Sequence, residues 1–115
     1  MPSTIPYKRG EIVLVEFPFT DLSGRTRRPA VVLSDNSFNQ SGTDRIVAQI
    51  TSNINAHRLG DHIITEWQQA GLPKPSVVRT KLATLATSKI TKALGIMPDA
   101  DMLGIEANIR TALGL

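Results

Sequence analysis

Cysteine is absent from the 115 residues, which excludes zinc ribbons, thiol catalysis and a disulfide-stapled scaffold. Aromatic residues are scarce, limited to Tyr7, Phe17, Phe19, Phe38 and Trp67. No apolar run approaches the roughly 18–20 residues of a membrane span, and Met1 to Gly10 lacks the apolar stretch of a secretion signal. The chain therefore reads as a cytoplasmic protein with no membrane partner. Acids are missing over a long middle stretch. From Trp67 through Pro98 there are none, while Lys74, Arg79, Lys81, Lys89 and Lys92 supply five positive charges. Between Asp21 and Asp35 the only charges are Arg25, Arg27 and Arg28. The net charge is held to +3 in part by the return of acids at Asp99, Asp101 and Glu106. A basic middle suits an anionic partner, although a solvated basic face with no partner fits the same charges.

What is present is enough for one folded domain spanning 1–115. A hydrophobic fraction of 41% with 20% charged residues is too apolar for disorder. No repeat or linker divides the chain. Glu11 to Phe17 is rich in β-branched and aromatic residues and reads as a strand apolar on both sides, stopped by Pro18. A polar loop from Pro18 to Pro29 leads to a second buried strand, Ala30 to Ser34. After a turn-rich stretch, Asp35 to Asp44, a third strand covers Arg45 to Thr51. Another polar loop, Ser52 to Gly60, precedes a short strand at Asp61 to Thr65, and Glu66 to Gly71 reads as a helical turn. Ser76 to Arg79 and Lys81 to Leu85 read as two strands separated by a bend or bulge near Thr80. Lys89 to Met97 fits either a last strand or a turn. Met102, Ile105, Ile109 and Leu113 then recur at helical spacing, with Asp99 and Asp101 at the helix start, Arg110 in its last turn and Gly114 as a stop. The pattern is mainly β with a C-terminal α-helix. A small barrel meets it, because closure removes exposed sheet edges.

Several chemistries have no residues to carry them. There is no phosphate-loop motif and no dinucleotide fingerprint. His57 and His62 flank Asp61 but do not share a face, so they make a poor metal site, and Asp99 with Asp101 fits helix capping better than a carboxylate pair. Arginine is the informative residue. Arg28 stands between a loop and a buried strand, and Pro29 fixes the backbone directly after it. Its planar fork of donors suits phosphate at any working pH. Arg79 stands at another strand end, and Thr51 closes the third strand and leads into Ser52 and Asn53. If these strand ends meet, they form an anion site with two cations and a hydroxyl. On spacing alone, two structural arginines and a strand-end threonine are the better fit.

Lys8-Arg-Gly-Glu-Ile-Val-Leu-Val-Glu-Phe17, then Arg28-Pro-Ala-Val-Val-Leu-Ser34, Ala48-Gln-Ile-Thr-Ser52 and Val77-Val-Arg79 together resemble the MazF/PemK family of toxins from bacterial toxin–antitoxin modules. The resemblance runs on to the terminal helix and covers nearly the whole chain. It implies an SH3-like barrel working as a homodimer, without metal or other cofactor. It implies an endoribonuclease cutting single-stranded RNA, in which the RNA's 2′-hydroxyl attacks and a 2′,3′-cyclic phosphate remains. It also implies a cognate antitoxin with a flexible acidic segment. Carried over by position, Arg28 matches the arginine acting at the scissile phosphate. Thr51 matches a threonine in proton transfer or phosphate binding, and Arg79 matches an arginine of the PemK branch, here assigned as a phosphate clamp. Arg25, Arg27, Phe19, Ser52, Asn53 and Lys81 are the expected RNA-binding residues, with Trp67 the second aromatic available for stacking after Phe19. Two departures stand out. Lys81 occupies the position where the PemK branch has an acid, and the first loop carries Ser23-Gly-Arg-Thr-Arg27 where the family has a Gly-x-Glu-Gln sequence. Asp44, Asp61 and His62 are candidates to stand in for the missing base, which the sequence does not place in space. Two other readings share the barrel: a non-catalytic toxin like CcdB that poisons a protein such as DNA gyrase, and an enzyme-dead barrel kept for RNA or antitoxin binding.

Overall fold

A computed structural model describes residues 5–17, 27–55 and 58–115. Six strands and two helices follow in the order β1 (Glu11–Glu16), β2 (Arg27–Val32), α1 (Asn36–Ser41), β3 (Asp44–Thr51), β4 (His62–Ile63), β5 (Val77–Ala86), β6 (Ile90–Ile96) and α2 (Asp99–Leu113). All strands join one sheet in the order β4-β5-β3-β2-β1-β6, with every pairing antiparallel. The class is the one expected from sequence, but the barrel is not closed. Among the described residues no pairing joins β4 to β6. The reason is local: β4 has only two residues, held between the turn at Gly60 and the turns that begin at Thr65. So short a strand fills its pairing on β5 and offers little to a second neighbour.

Strands apolar on both sides need two cores, because successive side chains point to opposite faces. Ile12, Val31, Ala48 and Ile50 join Ile64, Val78, Met97, Met102 and Ile105 in one cluster, which α2 covers. Their alternating neighbours Val13, Val15, Ala30, Val32 and Val47 join Phe17, Leu85 and Ile90 on the other face. Trp67 packs against the first cluster, so it is part of the core side rather than a free stacking surface. Of the expected helical stripe, Met102 and Ile105 are buried and Ile109 is packed against them, whereas Leu113 is exposed. Gly114 ends α2 by donating its N–H to Arg110 O.

Other elements differ from the sequence reading in physically traceable ways. The turn-rich stretch holds the short helix α1, started by Asp35, whose carboxylate accepts from the Ser37 N–H. Val77–Ala86 is one long strand where two were expected, and the expected bulge appears as a register shift against β3 between Ala48 and Ile50. The ambiguous Lys89 to Met97 stretch is the edge strand β6, paired to β1 with two irregularities. Arg45 is buried, and among the described residues no carboxylate pairs with it. Its guanidinium donates to the carbonyls of Pro6, Tyr7, Gly42 and Asp44 at 2.7–3.3 Å, fastening the segment before β1 to the start of β3.

Candidate functional site

Pro29 shapes the opening from which the site is built. It lies within β2, and the β2–β3 ladder runs only as far as Ala30↔Gln49. Proline has no N–H to extend that ladder, and the two strands part there. Continuing the same register by two residues sets Arg28 across from Thr51. The gap is a cavity of about 240 Å³ lined by Arg28, Pro29, Ile50, Thr51, Ser52, Pro73, Lys74 and Ser76. Two cations and three hydroxyl side chains from three chain segments therefore converge. The Thr51 Oγ1 accepts the Asn53 N–H at 3.1 Å, which fixes the oxygen and leaves its own proton to be donated. Ser76, itself buried, donates to Lys74 O at 2.9 Å and holds the lysine's loop against the mouth.

Arg79 does not line this cavity. Its side chain is 10% exposed and pairs with the carboxylate of Asp61, whose side chain is 2% exposed, at 3.3 Å. Its other terminal nitrogen donates to Asn53 O at 3.2 Å. The arginine thus braces the Thr51–Asn53 turn from behind, which differs from the clamp in direct contact with phosphate expected from sequence. Lys81 is exposed further along β5 and lies outside the cavity lining. Arg27 is exposed beside Glu16 at 3.8 Å. Ser52 lines the cavity, and Asn53 enters through its backbone. Phe19 and Arg25 lie outside the described residues, as does His57.

The three substitutes for a base separate clearly. Asp44 begins β3, and at about 3.3 Å per residue it stands roughly 23 Å from Thr51. His62 follows Asp61 on the strand and so faces the other way, toward α2, where its Nε2 donates to Asp101 Oδ1 at 2.8 Å. Asp61 alone is connected to the site, through Arg79. Among the described residues no three His, Cys, Asp or Glu side chains gather closely enough to hold a metal ion.

Asp99 and Asp101 lie in the first turn of α2 as expected, but the Asp101 carboxylate does not cap the helix. Asp101 is 1% exposed. Its carboxylate accepts the Thr65 N–H at 3.0 Å, the Thr65 hydroxyl at 3.1 Å and the Glu66 N–H at 3.4 Å in addition to His62, while α2 starts at Pro98 without a side-chain cap. Burial pushes the Asp101 carboxyl up, but the four hydrogen bonds outweigh it and leave the group below the usual 3.8. Gly104 permits this latch, since a Cβ there would lie 2.4 Å from His62 Cε1. Sequence reasoning also passed over Lys74 as a member of the cavity.

A larger cavity, about 400 Å³, lies beside α2 among Arg9, Asn36, Met97, Met102 and Glu106. Its arginine is paired with Glu106 and Leu33 O. No helix among the described residues is long and apolar enough to cross a membrane.

The geometry can be set beside known proteins. The model of the family described as PemK-like, MazF-like toxin of type II toxin-antitoxin system matches residues 8–113. The "Endoribonuclease MazF" of Staphylococcus epidermidis is 26% identical over 110 residues, covering 94% of this chain and 92% of that protein. Its counterpart from Staphylococcus saprophyticus is 27% identical with the same coverage. Among solved structures, MazF from Deinococcus radiodurans superposes with a TM-score of 0.77 at 21% identity, covering 98% of this chain and 100% of that one. A mycobacterial endoribonuclease in complex with its cognate antitoxin gives a TM-score of 0.76 at 23% identity, covering 94% and 95%. The structural likenesses establish the fold.

Proposed function

The chain belongs to the PemK-like, MazF-like toxin family of type II toxin–antitoxin systems, and from that premise we propose that it is an endoribonuclease cutting single-stranded RNA at the β2–β3 opening. The observation that carries the proposal is the convergence of Arg28, Lys74, Thr51 and Ser52 on one cavity. In the reaction, the RNA's 2′-oxygen forms a bond to the adjacent phosphorus while the bond to the 5′-oxygen of the next nucleotide breaks. The 2′-hydroxyl gives up its proton and the leaving 5′-oxygen gains one. The products end in a 2′,3′-cyclic phosphate and a 5′-hydroxyl. The nucleophile belongs to the substrate, so the protein's tasks are alignment and stabilisation of the charge that builds on the phosphorane.

Arg28 is suited to hold the non-bridging oxygens with its planar fork, and Lys74 adds a second charge from the opposite wall. The Thr51 hydroxyl, its oxygen already fixed by Asn53, donates to the phosphate. Arg79, its charge met by Asp61, steadies the Thr51–Asn53 turn through Asn53 O. Arg27 and Lys81 extend the RNA track, and Arg25 and Phe19, outside the described residues, are further RNA contacts of this reading. The protein acts as a homodimer without metal or cofactor, and its antitoxin covers the cationic opening with an acidic segment. The relative solved with a cognate antitoxin supports that partner.

Binding of an uncleavable oligonucleotide carrying a 2′-deoxy sugar at the cut site tests the interface. Affinity should fall steeply with added salt, the slope of log K against log salt being about −0.7 per phosphate contact for a single strand. Lys74→Ala should flatten that slope by close to one contact. A slope that is flat for the wild type would remove the cationic opening as an RNA site.

A further inference from the structure

We propose that Asp61 is a positioning residue for this reaction, holding Arg79 and, through it, the Thr51–Asn53 turn at the mouth of the cationic cavity. The kinetic part of the proposal rests on the endoribonuclease reading above, whereas its structural part does not.

Asp61 immediately precedes β4. The register pairs His62 with Val78, and one further step sets Asp61 opposite Arg79. The contact is buried on both sides, with Arg79 Nη1 donating to Asp61 Oδ2 at 3.3 Å. The same oxygen accepts the Arg58 N–H at 2.9 Å, and the Asp61 N–H returns to Arg58 O at 3.0 Å. From α2, Asn108 Nδ2 donates to Asp61 O at 3.2 Å. Asp61 is thus fixed through its N–H, its carbonyl and its carboxylate. Arg79 Nη2 passes the constraint to Asn53 O at 3.2 Å, and the Asn53 N–H passes it to Thr51 Oγ1 at 3.1 Å. The path from Asp61 to the Thr51 hydroxyl is unbroken.

A guanidinium plane is oriented when both of its edges are held. Without the Asp61 carboxylate, Arg79 keeps a single carbonyl partner among the described residues and regains rotamer freedom. With its side chain only 2% exposed, Asp61 is too buried to touch RNA, so it acts through Arg79. The chain carries Lys81 two residues beyond Arg79, and the carboxylate that Arg79 needs comes from the neighbouring strand end.

Steady-state cleavage by the full chain separates the outcomes. Asp61→Asn is expected to lower kcat by about 100-fold, the scale of a small misplacement, with KM nearly unchanged. Arg79→Ala should do the same, and the double variant should lose no more than Arg79→Ala alone. A folded Asp61→Asn with wild-type kcat, or losses that multiply in the double variant, overturns the proposal. Asp61→Glu, which shifts the charge by one methylene, serves if the Asn variant does not fold: an intermediate kcat is expected, and a wild-type kcat overturns. NMR of the Arg79 guanidinium gives a readout independent of cleavage. Restricted, separately resolved Nη signals are expected in the wild type and averaged signals in Asp61→Asn, whereas identical signals in both overturn the proposal. If the wild type cuts no RNA, the endoribonuclease reading fails, and this arm still decides the role of Asp61.

Discussion

Arg28→Ala is expected to reduce RNA cleavage by at least about 100-fold, the scale seen when one preorganised charge-stabilising donor is removed. Arg28 is one of two cations lining the β2–β3 cavity, and it is the one on a strand, fixed by the proline after it. Lys74 sits on a loop and delivers a point charge, without the fork that grips two phosphate oxygens at once. Arg28→Lys should therefore recover only part of the rate. The fold should survive either change. Arg28 lies outside both apolar clusters, and its position at the strand end keeps the expected shift in Tm to within about 5 °C. Cleavage rates and thermal melts on the same samples check both halves. A folded Arg28→Ala that cuts at the native rate would remove Arg28 from the site.

Asp101→Ala should produce the largest loss of stability, on the order of 3–5 kcal/mol. Removing the carboxylate leaves the Thr65 and Glu66 N–H groups and the His62 ring without their shared acceptor. The ring cannot move toward α2, because Gly104 already lies against it. Denaturant unfolding measures the loss. The acid limb supplies a second, independent check. Because hydrogen bonding holds the Asp101 pKa below 3.8 in the folded state, its contribution is fully present above that value. It is lost as pH falls through the lower folded value, where the native carboxylate takes up its proton. The wild type should therefore lose stability more steeply than Asp101→Ala as pH drops below about 4. Parallel acid limbs would show that the ionised carboxylate is not what the latch depends on.

Much of the sheet was legible because burial on both faces leaves a plain mark. Ile12, Val13 and Val15, or Ala30, Val31 and Val32, form continuous apolar runs, and each run divides between the two clusters. Arg28 and Thr51 were legible as strand-end residues, and the antiparallel register brings them across from each other. Lys74 was not, because the path of the loop before β5 is set by packing and by the Ser76 hydrogen bond rather than by local propensity. The burial of Asp101 was hidden for a related reason: an acid in the first turn of a helix reads as a dipole partner, and only the approach of His62 on β4 and of Thr65 in the turn after it buries the carboxylate. Asp61 carried a usable signal. In Asp61-His62-Ile63-Ile64 the strand alternation sends His62 and Ile64 toward α2, and hence Asp61 toward Arg79. Closure of the barrel was inferred from the general need to protect edges, and it fails here because β4 is two residues long.

The most direct test is to incubate the purified full chain, freed of antitoxin, with long, weakly structured RNA in excess chelator, and to identify the ends of the fragments. Discrete cuts carrying 2′,3′-cyclic phosphate and 5′-hydroxyl ends, lost in Arg28→Ala, are the predicted result. Intact RNA from the folded wild type, or fragments ending in 5′-phosphate, would contradict attack by the RNA's own 2′-hydroxyl at the β2–β3 opening.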